Sequence, residues 1–251
     1  MCRIRGIQIA VHATFFLPVA WVAGSSWYSD GWIGSLWSVA ALLAVYGCIV
    51  LHELGHSFTA RHFGIGVPRI LLLPIGGMAE FASIPRQPTR EVLIALAGPA
   101  VNAILAVALW LAVGLPAGDE YPATVKGVAQ LLIHANLLMG CFNLLPVFPM
   151  DGGRILRAFL ARRRPYLQAT RWAATLGKSL CAIFIGVALV TPALPSLPNR
   201  LLVAALFGFI FFAGDAEYRA IQRLEREDAD ARERLNRLQR PPPNREPPIL
   251  L

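Results

Sequence analysis

The chain has 251 residues, of which 56% are hydrophobic and only 15% charged, whereas soluble domains average about 45–50% apolar and about 25% charged residues; a water-soluble globule is excluded and a membrane class is indicated. The formal net charge is +8, but most arginines lie between or after hydrophobic runs. No Lys/Arg stripe interleaved with aromatics makes a phosphate-tracking surface, so nucleic acid is not an expected partner and the excess base reads as a topology signal.

Six hydrophobic runs follow one another at residues 9–24, 35–60, 92–115, 125–145, 172–190 and 201–214. A spanning helix needs about 20 apolar residues, so the first and last runs are short. The first follows Arg3 and Arg5 but has no A-x-A-like cleavage site, and it is read as a retained span rather than a signal peptide. Between the runs, basic loops (Arg61, Arg69, Arg86 and Arg90; then Arg154 to Arg171) alternate with non-basic ones (around Asp30; around Asp119 and Glu120; 191–199). Six spans with both termini in the cytoplasm satisfy the positive-inside rule, which points to a multi-pass protein, in bacteria one of the inner membrane.

Beyond Asp215 the chain is charged and helix-favouring to about Arg240, with Ile221, Leu224, Leu235 and Leu238 as a sparse apolar stripe. Pro241, Pro242 and Pro243 end any helix there. The expected division is a membrane domain at 1–214 and a cytoplasmic tail at 215–251, the tail being a solvated extension or a short coiled segment. Cys2, Cys48, Cys141 and Cys181 show no C-x-x-C spacing and suggest no disulfide framework; Cys48, one turn before His52, is read as packing rather than as a ligand.

The second run contains His52-Glu53-Leu54-Gly55-His56, an H-E-x-x-H pattern. On a helix, positions i and i+4 project from one face, so both imidazoles can reach one metal, with the glutamate placed to hold water beside it. Ionisable groups near the end of an apolar span are costly and mark function. His56 precedes Arg61 by five residues, or ~7–8 Å of helix, which puts a metal inside the bilayer boundary near the cytoplasmic face. Catalytic zinc takes three protein ligands, and the third must come from elsewhere in the chain. The candidates are Glu80, His134, Asp151, Asp215 and, more weakly, His12 and His62. Asp151 stands out because Pro146, Pro149 and the pair Gly152-Gly153 break the segment that delivers it, the glycines permitting unusual backbone angles. Irregular backbone at membrane depth is tolerated where it lines a cavity. The alternative for Asp151 is a helix N-cap. His12 is read as an interfacial structural residue and His62 as solvated.

Three stretches, His52 to His56, Gly98-Pro99-Ala100-Val101-Asn102 and Asn143 through Gly153, make the chain resemble the site-2 protease family of intramembrane zinc metalloproteases. The resemblance covers about residues 1–214 and is nearest to the compact bacterial branch that includes the sporulation factor processing protease. It implies one zinc per chain, with Asp151 as third ligand beside His52 and His56, and a three-helix catalytic core formed by runs two, three and four. The fold expected is an all-α membrane protein of about six transmembrane helices with that core and a short re-entrant or membrane-associated β segment. No room is expected for a PDZ or CBS module, so regulation falls to the loops, the tail, a partner or a second copy.

The expected reaction is hydrolysis of a transmembrane protein substrate in the lipid bilayer, with Glu53 as general base. Asn102 and Asn143 are candidates for binding the substrate backbone or oxyanion, against interhelical hydrogen bonds as the alternative, with Asn136 a weaker candidate. A helical substrate must unwind to be cut, and the segment 66–81, too short and broken to span, is a candidate strand or hairpin for pairing with it, against an amphipathic surface loop. The competing function is a metal transporter or sensor using the same ligands, but neither further intramembrane ligands nor an internal repeat is apparent.

Overall fold

The computed structural model describes residues 2–83, 85–114, 123–191 and 196–239. Strands β1 (Cys2–Ile4) and β2 (Ile7–Val11) precede a 3-10 turn at Ala13–Phe15 and helix α1 (Phe16–His62). Strands β3 (Arg69–Leu73) and β4 (Gly76–Ala79) follow, then α2 (Pro88–Val113), α3 (Val125–Asn143), α4 (Asp151–Ala161), α5 (Tyr166–Val190) and α6 (Leu197–Gln239). Among the described residues, five helices are long and apolar enough to cross a membrane: Ala13–His62, Pro88–Val113, Val125–Asn143, Tyr166–Val190 and Leu197–Leu238.

The first of these is folded back on itself. Gly31 has φ 71° and ψ −168°, a region essentially restricted to glycine. The Ser35 hydroxyl donates to the Ala23 carbonyl at 3.0 Å; in a straight helix twelve residues would separate them by ~18 Å. Phe15 also packs edge-on against Tyr46, ring centroids 4.5 Å apart. The runs at 9–24 and 35–60 are therefore two antiparallel arms, and six apolar arms result.

The first arm begins later than its hydrophobicity suggests. Residues 7–11 are strand, because Gln8 to Val11 pair in parallel with Arg69 to Leu72. His12 then caps the 3-10 turn by accepting from the Thr14 amide. A five-residue apolar stretch separated from the helix only by His12 and Thr14 is too short for periodicity to tell strand from helix. The four-stranded sheet has the order β1-β2-β3-β4, with β1 and β4 at its edges. Its inner residues Ile7 and Ile70 are fully buried in a cluster with Leu54, Ala60 and Ile94. Arg61 donates to the Arg5 carbonyl in the β1–β2 turn, and the Tyr46 hydroxyl donates to the Pro74 carbonyl in the β3–β4 turn at 2.7 Å. Both contacts fasten the sheet to the second arm of α1.

That arm, α2 and α3 form the expected three-helix core. Gly55 lets α1 and α2 approach closely, since a Cβ there would stand 2.8 Å from the Ala97 carbonyl oxygen. Gly140 on α3 faces Asn102 on α2, with 3.6 Å from its notional Cβ to the Asn102 Cβ. Helix α6 runs without interruption through Gly214 and Asp215, so the composition change expected at 214/215 falls inside one helix. Its charged half is pinned by Asp215 to Lys178 and by Asp228 to Arg86, the latter at 2.6 Å. The acidic loop at Asp119 and Glu120 and the helix stop at Pro241 to Pro243 lie outside the described residues.

Candidate metal centre

His52 and His56 lie one turn apart on the second arm of α1 and turn their rings inward, Nε2 to Nε2 at 3.0 Å. Asp151 Oδ2 stands 3.4 Å from His52 Nε2 and 3.2 Å from His56 Nε2. All three side chains are at least nine-tenths buried. Among the described residues they form the group whose donor atoms converge for a metal ion.

The hydrogen bonds behind the rings decide which nitrogens face the centre. His52 Nδ1 is 3.2 Å from Asn102 Oδ1, and His56 Nδ1 is 2.7 Å from the Ile94 carbonyl. Both partners are acceptors, so both Nδ1 atoms carry hydrogen, and both Nε2 atoms present lone pairs to each other and to a carboxylate. Asp151 Oδ2 accepts no hydrogen bond among the described residues. Three donor atoms converging at these distances, with the Nδ1 atoms behind them already engaged, is an arrangement that a cation satisfies. Ligands about 2.0–2.1 Å from a tetrahedral zinc stand about 3.3 Å from one another, which the observed spacings match. Backing of each imidazole by an acceptor is the usual support of a metal-binding histidine.

Gly98 leaves the space for such an ion. A Cβ there would lie 2.3 Å from His56 Nε2 and 2.7 Å from His52 Cε1. Glu53 points from the same helix toward the sheet, where Gly77 of β4 closes on it; a Cβ at Gly77 would lie 2.7 Å from Glu53 Cγ. The carboxylate thus sits between the His pair and the edge strand.

Asp151 is the first residue of α4, and the N-cap position belongs to Met150, which makes no side-chain cap. The segment before it is irregular, with turn bonds from the Val147 amide to the Leu145 carbonyl and from the Met150 amide to the Val147 carbonyl. Gly152 and Gly153 serve close packing rather than unusual angles, for neither has a positive φ. A Cβ at Gly152 would stand 2.2 Å from the Leu145 carbonyl oxygen, and one at Gly153 would stand 2.8 Å from the Phe148 nitrogen.

The other candidates are engaged elsewhere. Glu80 pairs with Arg69 at 2.7 Å, and its carboxylate raises the Arg69 pKa above the ordinary guanidinium value. His134 bonds the Gln130 carbonyl, and Asp215 pairs with Lys178 and Arg219. His12 caps its turn, and His62 lies edge-on to Phe63. Cys48 contacts the Asn136 amide nitrogen at 3.2 Å rather than the centre. Asn102 is fully buried with its carbonyl on His52 and its amide nitrogen unpartnered among the described residues. Asn143 donates to the Met139 carbonyl one turn back at 3.0 Å.

Not singled out from sequence were the Ile94 carbonyl, the space kept by Gly98 and a buried ion pair between Glu91 and Arg157. The backbone acceptor leaves no mark in a sequence, and the glycine stood in view inside the Gly98–Asn102 stretch. The ion pair was signalled only by two charges next to apolar runs. Burial opposes the Arg157 charge, but Glu91, Tyr166 and Glu217 around it hold its pKa above the ordinary value.

The chain is similar to known proteins along most of its length. A zinc metalloprotease of Methanocaldococcus jannaschii is 37% identical over 222 residues, covering 88% of this chain and 60% of the relative, so the chain spans about three-fifths of that relative's length. Stage IV sporulation protein FB of Bacillus subtilis is 30% identical over 214 residues, covering 85% of this chain and 67% of its own. The solved structure of the site-2 protease from Methanocaldococcus jannaschii superposes with a TM-score of 0.60 at 34% identity, covering 87% of this chain and 94% of that one. With its apolar helices, the chain is an integral membrane protein. The model of peptidase family M50 matches residues 40–121 and 113–184, which hold both histidines, Glu53 and Asp151, and on that match the chain belongs to peptidase family M50.

Proposed function

We propose that the chain is a zinc-dependent intramembrane endopeptidase that cuts transmembrane proteins within or beside their membrane segments. His52, His56 and Asp151 would hold the ion, and Glu53 would act as general base. The observation that carries this reading is the convergence of three buried donor atoms, two imidazole Nε2 and one carboxylate oxygen, next to a carboxylate that lies against a strand edge. Bound there, zinc supplies Lewis acidity to the scissile carbonyl and to water. Glu53 takes the proton of the attacking water and delivers it to the leaving nitrogen. Asn102 and the Ile94 carbonyl hold the two imidazoles in the tautomer that leaves Nε2 free.

Edge strand β4 supports a route for the substrate. An unwound segment laid along Gly76 to Ala79 gains main-chain partners and passes beside Glu53 at Gly77. Asn143, bonded within its own helix, is kept as a substrate contact only through its carbonyl oxygen. Charge placement favours an orientation with both termini and the charged half of α6 in the cytoplasm, in a bacterial inner membrane. Partners beyond the substrate and the bilayer, including a second copy, are not needed for this chemistry. Transport or sensing of a metal by the same ligands is disfavoured because Glu53 has no task there.

The test compares membranes carrying the wild-type chain with membranes carrying Glu53→Ala. The protease reading expects membrane-protein fragments ending near a membrane boundary only with the wild type, while both purified chains hold zinc. Equal fragment patterns would overturn it.

A further inference from the structure

The three proposed ligands come from two separate helices, α1 and α4, and one buried ion pair joins α4 to α2, the helix whose Ile94 carbonyl backs His56. Arg157 on α4 presents Nε and Nη2 to Glu91 Oε1 on α2, each at 2.6 Å, with both side chains 3% exposed. The guanidinium also lies over the Phe148 ring, 5.1 Å from its centroid, and over the Tyr166 ring at 5.0 Å. Glu217 from α6 completes the surround at 3.3 Å.

Each partner is connected to one side of the metal centre through a neighbouring residue. Glu91 lies three residues before Ile94, whose carbonyl receives His56 Nδ1. Phe148, 1% exposed, belongs to the irregular segment that leads directly into Asp151. The first turn of α4 is stripped of side chains at Gly152 and Gly153, where it lies against the backbone of 144–148. That contact is backbone against backbone, with no interlocking side chains to fix the rotation of α4. A rotation by one residue would swing Asp151 by about 100° around the α4 axis. Metal ligands must hold their distances to within about 0.2 Å. Two N–H groups of one guanidinium converging on Glu91 Oε1, with the group seated on an aromatic face, constrain both distance and direction.

We infer that Arg157 is a positioning residue: clamped on Glu91 and seated on Phe148, it sets where α4 delivers Asp151 relative to the His52–His56 pair. A buried pair of this kind contributes little net stability compared with an apolar substitute, and fixing register is its best-attested use. The inference rests on the ligand set proposed above.

The experiment uses the full chain in detergent and reads the metal rather than proteolysis alone. Zinc affinity is measured by competition with a chelator, and cobalt(II) is loaded to record its visible absorption, which reports coordination geometry. In Arg157→Lys, which keeps the charge but loses the fork, zinc affinity should fall ~10-fold or more, as for other outer-sphere supports. The cobalt bands should change in position and intensity, while helix content stays unchanged. Asp215→Asn, which breaks the Lys178 pair between α5 and α6 and the Arg219 pair within α6, should leave affinity and spectrum as in the wild type. If Arg157→Lys is not recovered folded, Glu91→Gln with Arg157→Gln removes both charges together, and the same loss of affinity is expected. Wild-type affinity and an unchanged cobalt spectrum in the folded variant would overturn the inference alone. A wild-type chain that takes no zinc would overturn the ligand set and the inference with it.

Discussion

Gly98 faces His56 so closely that a Cβ on the glycine would stand 2.3 Å from Nε2. The absence of one side chain on α2 is what leaves room for an ion between two residues of α1. Gly98→Ala should therefore lose zinc without losing the fold, because a methyl group would occupy the centre. Zinc content of the purified variant, measured against helix content, checks this. A fully loaded, active alanine variant would mean that the ion lies elsewhere.

Asn102 stands behind His52 as its acceptor. Asn102→Ala removes that support, and metal affinity or activity should fall about 10–100-fold, the usual cost of losing such a partner. Asn102→Asp keeps an acceptor at Oδ1 and should retain much more of the affinity. The comparison is a pair of zinc competition titrations.

Leu72 on β3 pairs with Gly77 on β4 and with Val11 on β2. A proline at Leu72 removes a ladder donor and distorts the strand that carries the substrate edge. Leu72→Pro should cut proteolysis while zinc stays bound, since none of the proposed ligands lies on the sheet. Loss of zinc in this variant would show that the sheet supports the metal rather than the substrate.

The fold of α1 can be tested at its hinge. Gly31→Ala forces a side chain into a backbone region that costs about 1–3 kcal/mol for residues other than glycine. Gly24 and Gly47, in the same helix with open space around them and no positive φ, are matched controls. Thermal denaturation in detergent should show a lower midpoint for Gly31→Ala and none of that drop for Gly24→Ala or Gly47→Ala.

Much of this architecture was legible in the residues, and what was not has identifiable causes. The H-E-x-x-H spacing gave the imidazole pair, and the prolines before Asp151 marked the break that lets a distant carboxylate reach it. The segment 66–81 showed its strands because Pro74 and Gly76-Gly77 interrupt a short apolar run. Residues 7–11 hid theirs, because so short a stretch, marked off from the first arm only by His12 and Thr14, does not by itself show the distant strand it pairs with. The partner that makes them strand, β3, lies some sixty residues away. The glycines at 152 and 153 suggested unusual angles, whereas they permit contact, a distinction that depends on which backbone lies opposite. The Glu91–Arg157 pair showed only as two separate charges beside apolar runs, since nothing local says that two charges from different helices meet.

Zinc stoichiometry in four purified chains tests the central claim most directly: wild type, His52→Ala, His56→Ala and Asp151→Ala, each with confirmed helix content. The three-ligand account predicts one zinc per wild-type chain and strongly weakened binding in every variant, Asp151→Ala included. Wild-type zinc content and affinity in Asp151→Ala would contradict it.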